Sequence, residues 1–251
     1  MKALITGASS GIGLAFAKSL SEMGYDLILV ARNKKKLNEV KESLNTKVEV
    51  INLDLSSTFN CMRLYNKVKK EDIDIVINNA GFGIFGKFEE TNIDKELDMI
   101  DTNIKAVHIL TKKFYKDFKG KDRGYILNVA SSAAFLPGPL MSSYYASKAY
   151  VLRLTEALYA ENKHDKSNVY IGCLCPGPVD TNFNNVAGVS FSVKPLSKEE
   201  VANYAIKKMF QRKMLIIPGF QMRMAYYFER FLPTKMLMKM CFKIQEAKQK
   251  P

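Results

Sequence analysis

The first thirty-two residues, MKALITGASSGIGLAFAKSLSEMGYDLILVAR, constrain the fold more than any other stretch of the chain. An apolar segment at Lys2–Thr6 predicts a β-strand, and a glycine-rich turn joins it to an amphipathic helix and a second strand. Gly7, Gly11 and Gly13 permit a tight turn and a close approach of the backbone to a ligand. In such a βαβ unit the helix that begins near Gly11 points its N-terminus at a dinucleotide pyrophosphate. The chain is therefore predicted to contain a nucleotide-binding parallel sheet.

A second set of glycines also matches the G-x-G-x-x-G pattern. Gly81, Gly83 and Gly86 follow a predicted strand, and Asp101 stands further along the chain. No amphipathic helix begins at Gly86, and no second strand follows within the length of a βαβ unit. These glycines are therefore interpreted as a loop.

The residue after the second predicted strand, Leu27–Ala31, bears on the choice of dinucleotide. An acidic side chain there would bind the ribose 2′-hydroxyl of NAD(H), but this chain has Arg32, followed by Lys34–Lys36. A guanidinium attracts a 2′-phosphate. NADP(H) is therefore the preferred cofactor, and NAD(H) remains the alternative if Arg32 is only a solvated loop residue.

Further helices and strands alternate along the chain. Helices are predicted over Lys34–Leu44, Thr58–Lys69, Asp94–Lys119 and Tyr144–Asn162, and strands over Val48–Leu53, Ile73–Ile77, Tyr125–Val129, Asn168–Leu174 and Met214–Ile217. Asp54 and Asn78–Gly81 end strands at the carboxyl edge, where ligands bind in such sheets. Asn103 falls within a helix, where an asparagine buried under the site would be functional. Asn182–Leu196 lacks periodicity and is a candidate mobile lid.

Tyr144 and Lys148 form the candidate catalytic pair. If Ser142 or Ser143 opens a helix, both side chains lie on one face, four residues apart. An ammonium about 4 Å away at an effective dielectric of about 20 contributes about 4 kcal/mol, which is what lowering a tyrosine pKa from about 10 to about 7 requires. Taken alone, such a pair is more often a chance arrangement on a solvated helix. If the rest of the chain builds a nucleotide site around this pair, the pair is interpreted as catalytic.

Composition narrows the function classes. The formal charge of +13 favours anionic partners, but the basic excess follows Glu200 and no zinc-finger or RNA-binding signature is present, so nucleic acid is not expected. The four cysteines lack CxxC spacing, which predicts reduced packing residues and no metal site. No apolar run approaches about 18 residues and no signal peptide is recognised, which predicts a cytoplasmic protein.

Together these motifs resemble those of the short-chain dehydrogenase/reductase family, over roughly residues 1–217. The cofactor loop of that family is similar to Thr6-Gly7-Ala8-Ser9-Ser10-Gly11-Ile12-Gly13, and its sheet-stabilising motif to Asn78-Asn79-Ala80-Gly81. Its catalytic set resembles Ser131, Tyr144 and Lys148, and its nicotinamide-side turn resembles Pro176-Gly177. Asn103 falls where the family has a fourth catalytic residue.

The resemblance implies a Rossmann-type α/β fold with a doubly wound, mostly parallel sheet of about seven strands. It also implies reduction of a carbonyl by a nicotinamide cofactor. Ser131 would polarise the carbonyl, Tyr144 would deliver the proton, and Lys148 would lower the tyrosine pKa and bind the nicotinamide ribose. The remaining cofactor contacts would be Asp54 and Leu55 at the adenine, Asn79 and Ala80 at the adenosine ribose, and Val179 and Thr181 at the carboxamide.

Family members commonly associate through two long helices, which here contain Asn103 and Tyr144. The resemblance therefore implies a homodimer or homotetramer.

The chain departs from the family after Ile217. We expect a catalytic domain over residues 1–217 and a basic, amphipathic helical extension over residues 218–251, with Pro233 between two helices. Lys235, Lys239 and Lys243 recur every four residues beside an apolar face. Either this pair packs its apolar side on the substrate pocket or a partner subunit, or it lies on a membrane surface.

Two functions are compatible with the motifs. The first is an NADP(H)-dependent reductase of an apolar carbonyl compound, the apolar character being suggested by the extension and by Phe135, Leu136, Leu140 and Met141. The alternative is a non-catalytic NADP-sensing or scaffold protein on the same fold. Such a protein would be expected to lose Ser131, Tyr144 or Lys148, and all three are present.

Overall fold

The central sheet of the protein is parallel throughout. The computed structural model describes residues 1–181, 183 and 195–246. Within that part of the chain a seven-stranded sheet has the order β3-β2-β1-β4-β5-β6-β9, and β7 pairs with β8 separately. The strands are β1 (Lys2–Thr6), β2 (Asp26–Ala31), β3 (Val48–Asn52), β4 (Ile75–Asn78), β5 (Tyr125–Val129), β6 (Tyr170–Leu174), β7 (Val179–Asp180), β8 (Leu196–Ser197) and β9 (Leu215–Ile216). The predicted doubly wound α/β fold is confirmed.

Helices cover both faces of this sheet. The α-helices in the described ranges are α1 (Gly11–Glu22), α2 (Lys34–Glu42), α3 (Thr58–Val68), α4 (Ile93–Ile100), α5 (Val107–Lys121), α6 (Ser142–His164), α7 (Lys198–Phe210), α8 (Phe220–Phe228) and α9 (Thr234–Glu246). Ala3 and Ile5 of β1 face the core shared with α1 and α7, whereas Leu4 faces the core shared with α3 and α5. Successive residues of a strand point to opposite faces, so a strand between two helical layers is apolar throughout.

The strand order reverses between β1 and β4. Ile5 lies opposite Leu29 of β2 on one side and Ile77 of β4 on the other. Chain segments that leave the carboxyl ends of such neighbouring strands diverge and leave a crevice. The glycine-rich loop after β1 and the Asn79–Gly81 loop after β4 therefore border the same crevice.

Two predicted strands begin two residues later than expected. The expected strand Ile73–Ile77 is observed as Ile75–Asn78, and Asn168–Leu174 as Tyr170–Leu174. The Ile73 N–H donates to the Glu71 carbonyl at 2.9 Å, and the Asn168 N–H donates to the Asp122 carboxylate at 2.8 Å. The Ile73 N–H is therefore used in a local turn and the Asn168 N–H in a contact with the distant Asp122 side chain, so neither joins the sheet.

The long helix expected over Asp94–Lys119 is not regular. Between α4 and α5 the chain forms a wider, π-helical segment at Asp101–Ala106, which contains Asn103. The interpretation of Gly81, Gly83 and Gly86 as a loop is confirmed, since no helix or strand includes them. Most of the candidate lid, Asn182–Leu196, lies outside the described residues.

The C-terminal extension, as far as Glu246, forms the two expected helices, α8 and α9, with Pro233 between them. Tyr226 of α8 is buried with its ring centroid 4.4 Å from that of Phe135, and Cys241 and Gln245 of α9 are buried as well. Large apolar side chains of both helices are nevertheless exposed. No helix in the described ranges is long and apolar enough to span a membrane.

Candidate active site

The glycine-rich loop after β1 leaves room for an anion at the start of α1. Gly7 and Gly11 adopt φ values of +66° and +56°, which favour glycine. Ser10, the N-cap of α1, makes no side-chain cap to that helix, so the first-turn N–H groups stay available. Helix N-termini with free N–H groups bind phosphate.

The predicted loop residues divide into two groups. Gly7, Ser9, Ser10, Gly11 and Ile12 line one cavity of about 580 Å³. The third glycine, Gly13, is not among the lining residues. A Cβ at Gly13 would overlap the Gly7 carbonyl and lie 2.6 Å from Asn79 Nδ2. Its contribution is close packing of α1 under the loop, not a surface for the ligand.

The Asn79–Gly81 loop is tied directly to the end of β1. Asn79 Nδ2 donates to the Thr6 carbonyl at 3.0 Å, and the backbone N–H groups of Asn79 and Ala80 donate to Thr6 Oγ1 at 2.9 and 3.0 Å. Asn79, Ala80 and Gly81 all line the same cavity. These bonds position the two loops of the crevice relative to each other.

Arg32, Asp54 and Leu55 line the end of the cavity that lies after β2 and β3. Asn52 Nδ2 donates to the Arg32 carbonyl at 2.6 Å, which fixes the backbone of that loop. The Arg32 guanidinium carbon lies 6.0 Å from the Phe82 ring centroid. Lys36, which sequence reasoning assigned only to a basic run, lines the cavity too. Two cations therefore stand where the sequence predicts a 2′-phosphate.

Ser131, Tyr144 and Lys148 meet at the opposite end of the cavity. Ser131 follows β5 in extended conformation, and its Oγ accepts from the Ala133 N–H at 3.1 Å. Tyr144 lies in the first turn of α6, close enough to Ser131 for that side chain to act on the pKa of its hydroxyl. Lys148 is 5% exposed, and its Nζ donates to the Val129 carbonyl at 3.1 Å. The three residues thus form one cluster at the carboxyl edge of β5.

Burial dominates the pKa values of this cluster. Loss of solvent raises the pKa of Tyr144, although the hydrogen bond from Ser131 acts in the opposite direction. Burial lowers the pKa of Lys148 from its ordinary 10.5 to about 8. Lys148 Nζ is 5.8 Å from the Tyr144 ring centroid. Desolvation therefore raises the pKa of Tyr144 in this structure, and the expectation that Lys148 lowers it stays a prediction.

Asn103 is fully buried in the π-helical segment. Its Oδ1 accepts from the Phe82 N–H at 3.1 Å, and its Nδ2 donates to the Phe82 carbonyl at 2.9 Å and to Ser147 Oγ at 3.0 Å. Ser147 Oγ in turn donates to the Tyr144 carbonyl at 2.7 Å. A Cβ at Gly81 would lie 2.7 Å from Asn103 Oδ1. Asn103 therefore connects the loop after β4 to the helix that carries Tyr144. Its π-helical segment is of a kind that often occurs at functional sites.

The segment after β6 completes the cavity wall. Pro176, Gly177, Val179 and Thr181 all line it, as the sequence predicts for the nicotinamide side. The Ser132 N–H donates to the Pro176 carbonyl at 2.8 Å, which holds this turn against the end of β5.

Several cavity residues have no sequence motif. Leu136 and Met141, expected to be apolar substrate contacts, do line the cavity, whereas Phe135 packs on Tyr226. The lining residues that sequence reasoning missed include Phe82, Ala133, Tyr145, Phe183, Met222 and Ile244. Met222 and Ile244 come from the C-terminal extension, and no local pattern distinguishes them from the other apolar residues there. In the described part of the chain, no group of three or more His, Cys, Asp or Glu side chains could hold a metal ion.

The family model that matches this chain covers all the predicted cofactor-binding and catalytic residues. A family model described as short chain dehydrogenase matches residues 1–188. An uncharacterized oxidoreductase of Staphylococcus epidermidis is 34% identical over 213 residues, which cover 83% of this chain and 90% of that protein. The very-long-chain 3-oxoacyl-CoA reductase of Pyrenophora tritici-repentis is 34% identical over 198 residues, which cover 75% of this chain and 58% of that protein. A solved short-chain dehydrogenase from Sphingobium yanoikuyae in complex with NADPH has a TM-score of 0.81 and 29% identity, covering 87% of this chain and 88% of that chain.

Proposed function

Because the chain belongs to the short-chain dehydrogenase/reductase family, whose members are NAD(P)-dependent oxidoreductases, we propose that it reduces an apolar ketone or aldehyde with NADPH. The observation that carries this proposal is the meeting of Ser131, Tyr144 and Lys148 in the cavity that the glycine-rich loop lines. A Tyr-x-x-x-Lys pair on a solvated helix would not be buried beside a dinucleotide-type crevice.

The residues present fit a dinucleotide. Gly7 and Gly11 have the positive φ values of a tight glycine turn, and the uncapped N-terminus of α1 offers N–H donors for a pyrophosphate. The nicotinamide of the bound cofactor supplies the hydride for the carbonyl carbon. The groups of this chain that would hold the cofactor are the glycine-rich loop, Arg32, Asp54, Leu55, Asn79, Ala80, Lys148, Pro176, Gly177, Val179 and Thr181.

Tyr144 is the proposed proton donor to the carbonyl oxygen. Its raised pKa keeps the hydroxyl protonated near neutrality, as an acid must be before the reaction. Ser131, which lines the same cavity as Tyr144, would hold and polarise the carbonyl. Lys148, with a pKa of about 8, would stabilise the phenolate that proton transfer leaves behind. Asn103 acts as a positioning residue through Phe82 and Ser147.

Preference for NADP(H) over NAD(H) is proposed from charge. Arg32 and Lys36 line the adenosine end of the cavity, and cations there favour a 2′-phosphate. Calorimetric titration with NADPH and NADH checks this preference. The wild type should bind NADPH more tightly, and Arg32→Asp should reduce that difference. Equal affinities in the wild type would contradict it.

An apolar substrate is proposed from the opposite end of the cavity. Leu136, Met141, Phe183, Met222 and Ile244 line the same cavity as Tyr144, and the Phe183 ring centroid is 5.4 Å from that of Tyr144. The fungal relative named for reduction of very-long-chain 3-oxoacyl-CoA, an apolar chain bearing a carbonyl group, is consistent with this class of substrate.

The decisive test of the function compares the wild type with Tyr144→Phe. NADPH consumption would be followed by absorbance with a panel of aliphatic and aromatic ketones and aldehydes. Loss of a general acid lowers turnover by roughly a hundredfold or more, while NADPH affinity measured by calorimetry should change little. Binding of NADPH by the wild type without turnover of any carbonyl would favour the NADP-sensing alternative. Substantial turnover by Tyr144→Phe would exclude Tyr144 as the acid.

Assembly through α5 and α6 is also proposed. His108 of α5 and Tyr150 of α6 join these helices at the surface by a 2.7 Å hydrogen bond, and both side chains are exposed in the single chain. Sedimentation velocity would show a homodimer or homotetramer, and a monomer at all protein concentrations would contradict the proposal.

Peripheral contact of the extension with an anionic membrane is proposed from its surface. Phe228 and Phe231 are 66% and 83% exposed, and Lys235, Lys239 and Lys243 are exposed on the following helix. Apolar side chains beside lysines are typical of helices that lie at a membrane interface.

A further inference from the structure

A second cavity lies directly beside the catalytic one. It is a groove of about 620 Å³ between α6, α9 and the segment that follows Phe135, and we call it the outer groove. Its walls are mostly apolar, with Pro137, Pro139, Ala146, Ala149, Met238 and Phe242 among them. An apolar groove next to a reaction centre offers space for the distant part of a substrate.

Two residues, Leu136 and Tyr145, line both the catalytic cavity and the outer groove. Tyr145 directly follows Tyr144 in α6, and successive helical residues point in directions about 100° apart. The two rings are 6.0 Å apart between centroids and nearly perpendicular, at 77°. Tyr144 therefore faces the catalytic cavity, while the ring of Tyr145 stands between that cavity and the outer groove.

The position of the Tyr145 ring is determined from two sides. A Cβ at Gly138 would overlap the ring, so the ring occupies space that only glycine leaves free. On the other side Gln245 Nε2 of α9 donates to the Tyr145 hydroxyl, and Gln245 is 2% exposed. Burial raises the pKa of Tyr145 to about 12, so the hydroxyl stays neutral near pH 7. The C-terminal extension thus holds the ring in place.

We propose that Tyr145 is a specificity-determining residue, whose ring closes the substrate end of the catalytic cavity and limits the length of the apolar chain on the carbonyl substrate. This inference rests on the proposed function, because it concerns the substrate of the same site. It predicts that a substrate chain short enough to end at Tyr145 is buried along its whole length. Further methylenes should add no binding free energy unless the ring is removed.

The test uses the full chain with NADPH and straight-chain methyl ketones, from butanone to pentadecanone. For the wild type, kcat/KM should rise about fourfold for each added methylene that becomes buried, and then level off. Tyr145→Ala joins the two cavities, so the kcat/KM of this variant should continue to rise with longer ketones before it levels off. Tyr145→Phe keeps the ring, so its profile should level off at the same chain length as the wild type.

Two further variants distinguish removal of the boundary between the two cavities from a general loss of packing in the site. Leu136→Ala opens the same boundary without a change in α6, and it should also move the levelling point to longer chains. Ala146→Phe, at an exposed position in the outer groove, refills the groove from outside. The double variant Tyr145→Ala with Ala146→Phe should therefore return to the wild-type levelling point.

The outcomes distinguish this inference from the proposed function. Turnover by every variant with one common levelling point would overturn the role of Tyr145 and leave the reductase function standing. If adding Ala146→Phe to Tyr145→Ala does not return the levelling point to the wild-type chain length, the role of the outer groove is overturned. If the wild type binds NADPH but turns over no ketone or aldehyde at all, the proposed function fails and this inference fails with it.

Discussion

At the scale of single residues, burial decides the chemistry of the candidate site. Tyr144 and Lys148 are both almost completely buried, and loss of solvent penalises the charged form of each. The pKa of Tyr144 is therefore raised and that of Lys148 lowered. Both shifts favour neutral side chains, so the Tyr144 hydroxyl is uncharged near neutrality, as its proposed role as proton donor requires.

The lowered pKa of Lys148 makes stability depend on pH. Below about pH 8 the lysine is protonated in both the folded and the unfolded chain, and folding carries the full cost of burying the charge. Between about pH 8 and 10.5 only the unfolded chain holds the proton, so stability rises with pH through this window. A shift from 10.5 to about 8 corresponds to about 3 kcal/mol.

This dependence can be isolated with Lys148→Met. Urea unfolding of both proteins at pH 7 and pH 9.5 gives the difference between their unfolding free energies at each pH. The unfolding free energy of the wild type should rise by about 2 kcal/mol relative to that of the variant at the higher pH, because pH 9.5 lies about 1.5 pH units above the folded-state pKa of about 8. A difference that does not change with pH would show that Lys148 keeps its ordinary pKa in the folded protein.

Asn103 supports the site through three hydrogen bonds, to both backbone groups of Phe82 and to Ser147. Asn103→Ala leaves these buried groups without their partner, which costs about 1–3 kcal/mol for each unsatisfied group. We expect a loss of several kcal/mol in the unfolding free energy and a lower kcat.

The matched control for Asn103 is Asn203→Ala, at an exposed asparagine that bonds only Ser19 among the described contacts. Its effect on stability should stay within about 0.5 kcal/mol. If the two substitutions change the unfolding free energy equally, Asn103 does not support the structure of the site.

At the scale of elements, the site depends on loops that come closer together than side chains permit. The loop after β4 comes close to Asn103 and Lys148 at Gly81, where a Cβ would lie 2.7 Å from Asn103 Oδ1 and 3.3 Å from Lys148 Nζ. Asn79 joins the same loop to the end of β1. The close approach of these elements places the catalytic cluster and the glycine-rich loop on one cavity.

Gly81→Ala tests this close approach. The added methyl group displaces Asn103 or Lys148, so the unfolding free energy should fall by about 1–3 kcal/mol and kcat should fall with it. Gly120→Ala is the control, since nothing lies within 4 Å of a Cβ there and the residue is in α5. Alanine in a helix should raise stability by up to about 1 kcal/mol. Tolerance of alanine at both positions would show that the loop has room to move.

At the scale of the whole molecule, the C-terminal extension has two different sides. One side reaches the catalytic cavity through Met222 and Ile244 and packs Tyr226 on Phe135. The other side leaves Phe228, Phe231 and several methionines exposed. The sequence left open whether the apolar face packs on the protein or lies on a membrane, and the described residues show packing for part of it. The division into domains at residue 217 stays a prediction.

The exposed side predicts binding to vesicles. The full chain should pellet with vesicles that contain anionic lipid, and the double variant Phe228→Ser with Phe231→Ser should pellet much less, because apolar burial at the interface is lost. Folding should be unaffected, since both rings are exposed. Phe59→Ser, which removes an exposed ring from α3, is the control and should pellet like the wild type. Equal pelleting of all three proteins would exclude the extension as the membrane contact.

The parts of the fold that could be predicted are those with local signals. Strands β1 and β5 were expected at the residues where they are found, because short runs of apolar residues bounded by turns predict strands from local sequence alone. The β4 and β6 strands were expected too early, because the N–H groups of Ile73 and Asn168 bond the Glu71 carbonyl and the Asp122 carboxylate, and apolar periodicity carries no signal of either contact. The π-helical turn around Asn103 depends on bonds to Phe82 and Ser147, which are distant in the chain.

By itself, the sequence determined the parallel α/β architecture, the glycine-rich loop and the positions of Ser131, Tyr144 and Lys148. Backbone sterics and side-chain periodicity act over a few residues, so they can be read without knowing the fold. Only the tertiary structure decided the direction of the Tyr144 pKa shift, the packing of Gly13 under the loop and the wall that Tyr145 forms between two cavities. Each of these depends on burial or on contacts between distant segments, such as Gln245 with Tyr145, and desolvation arises only when the chain is folded.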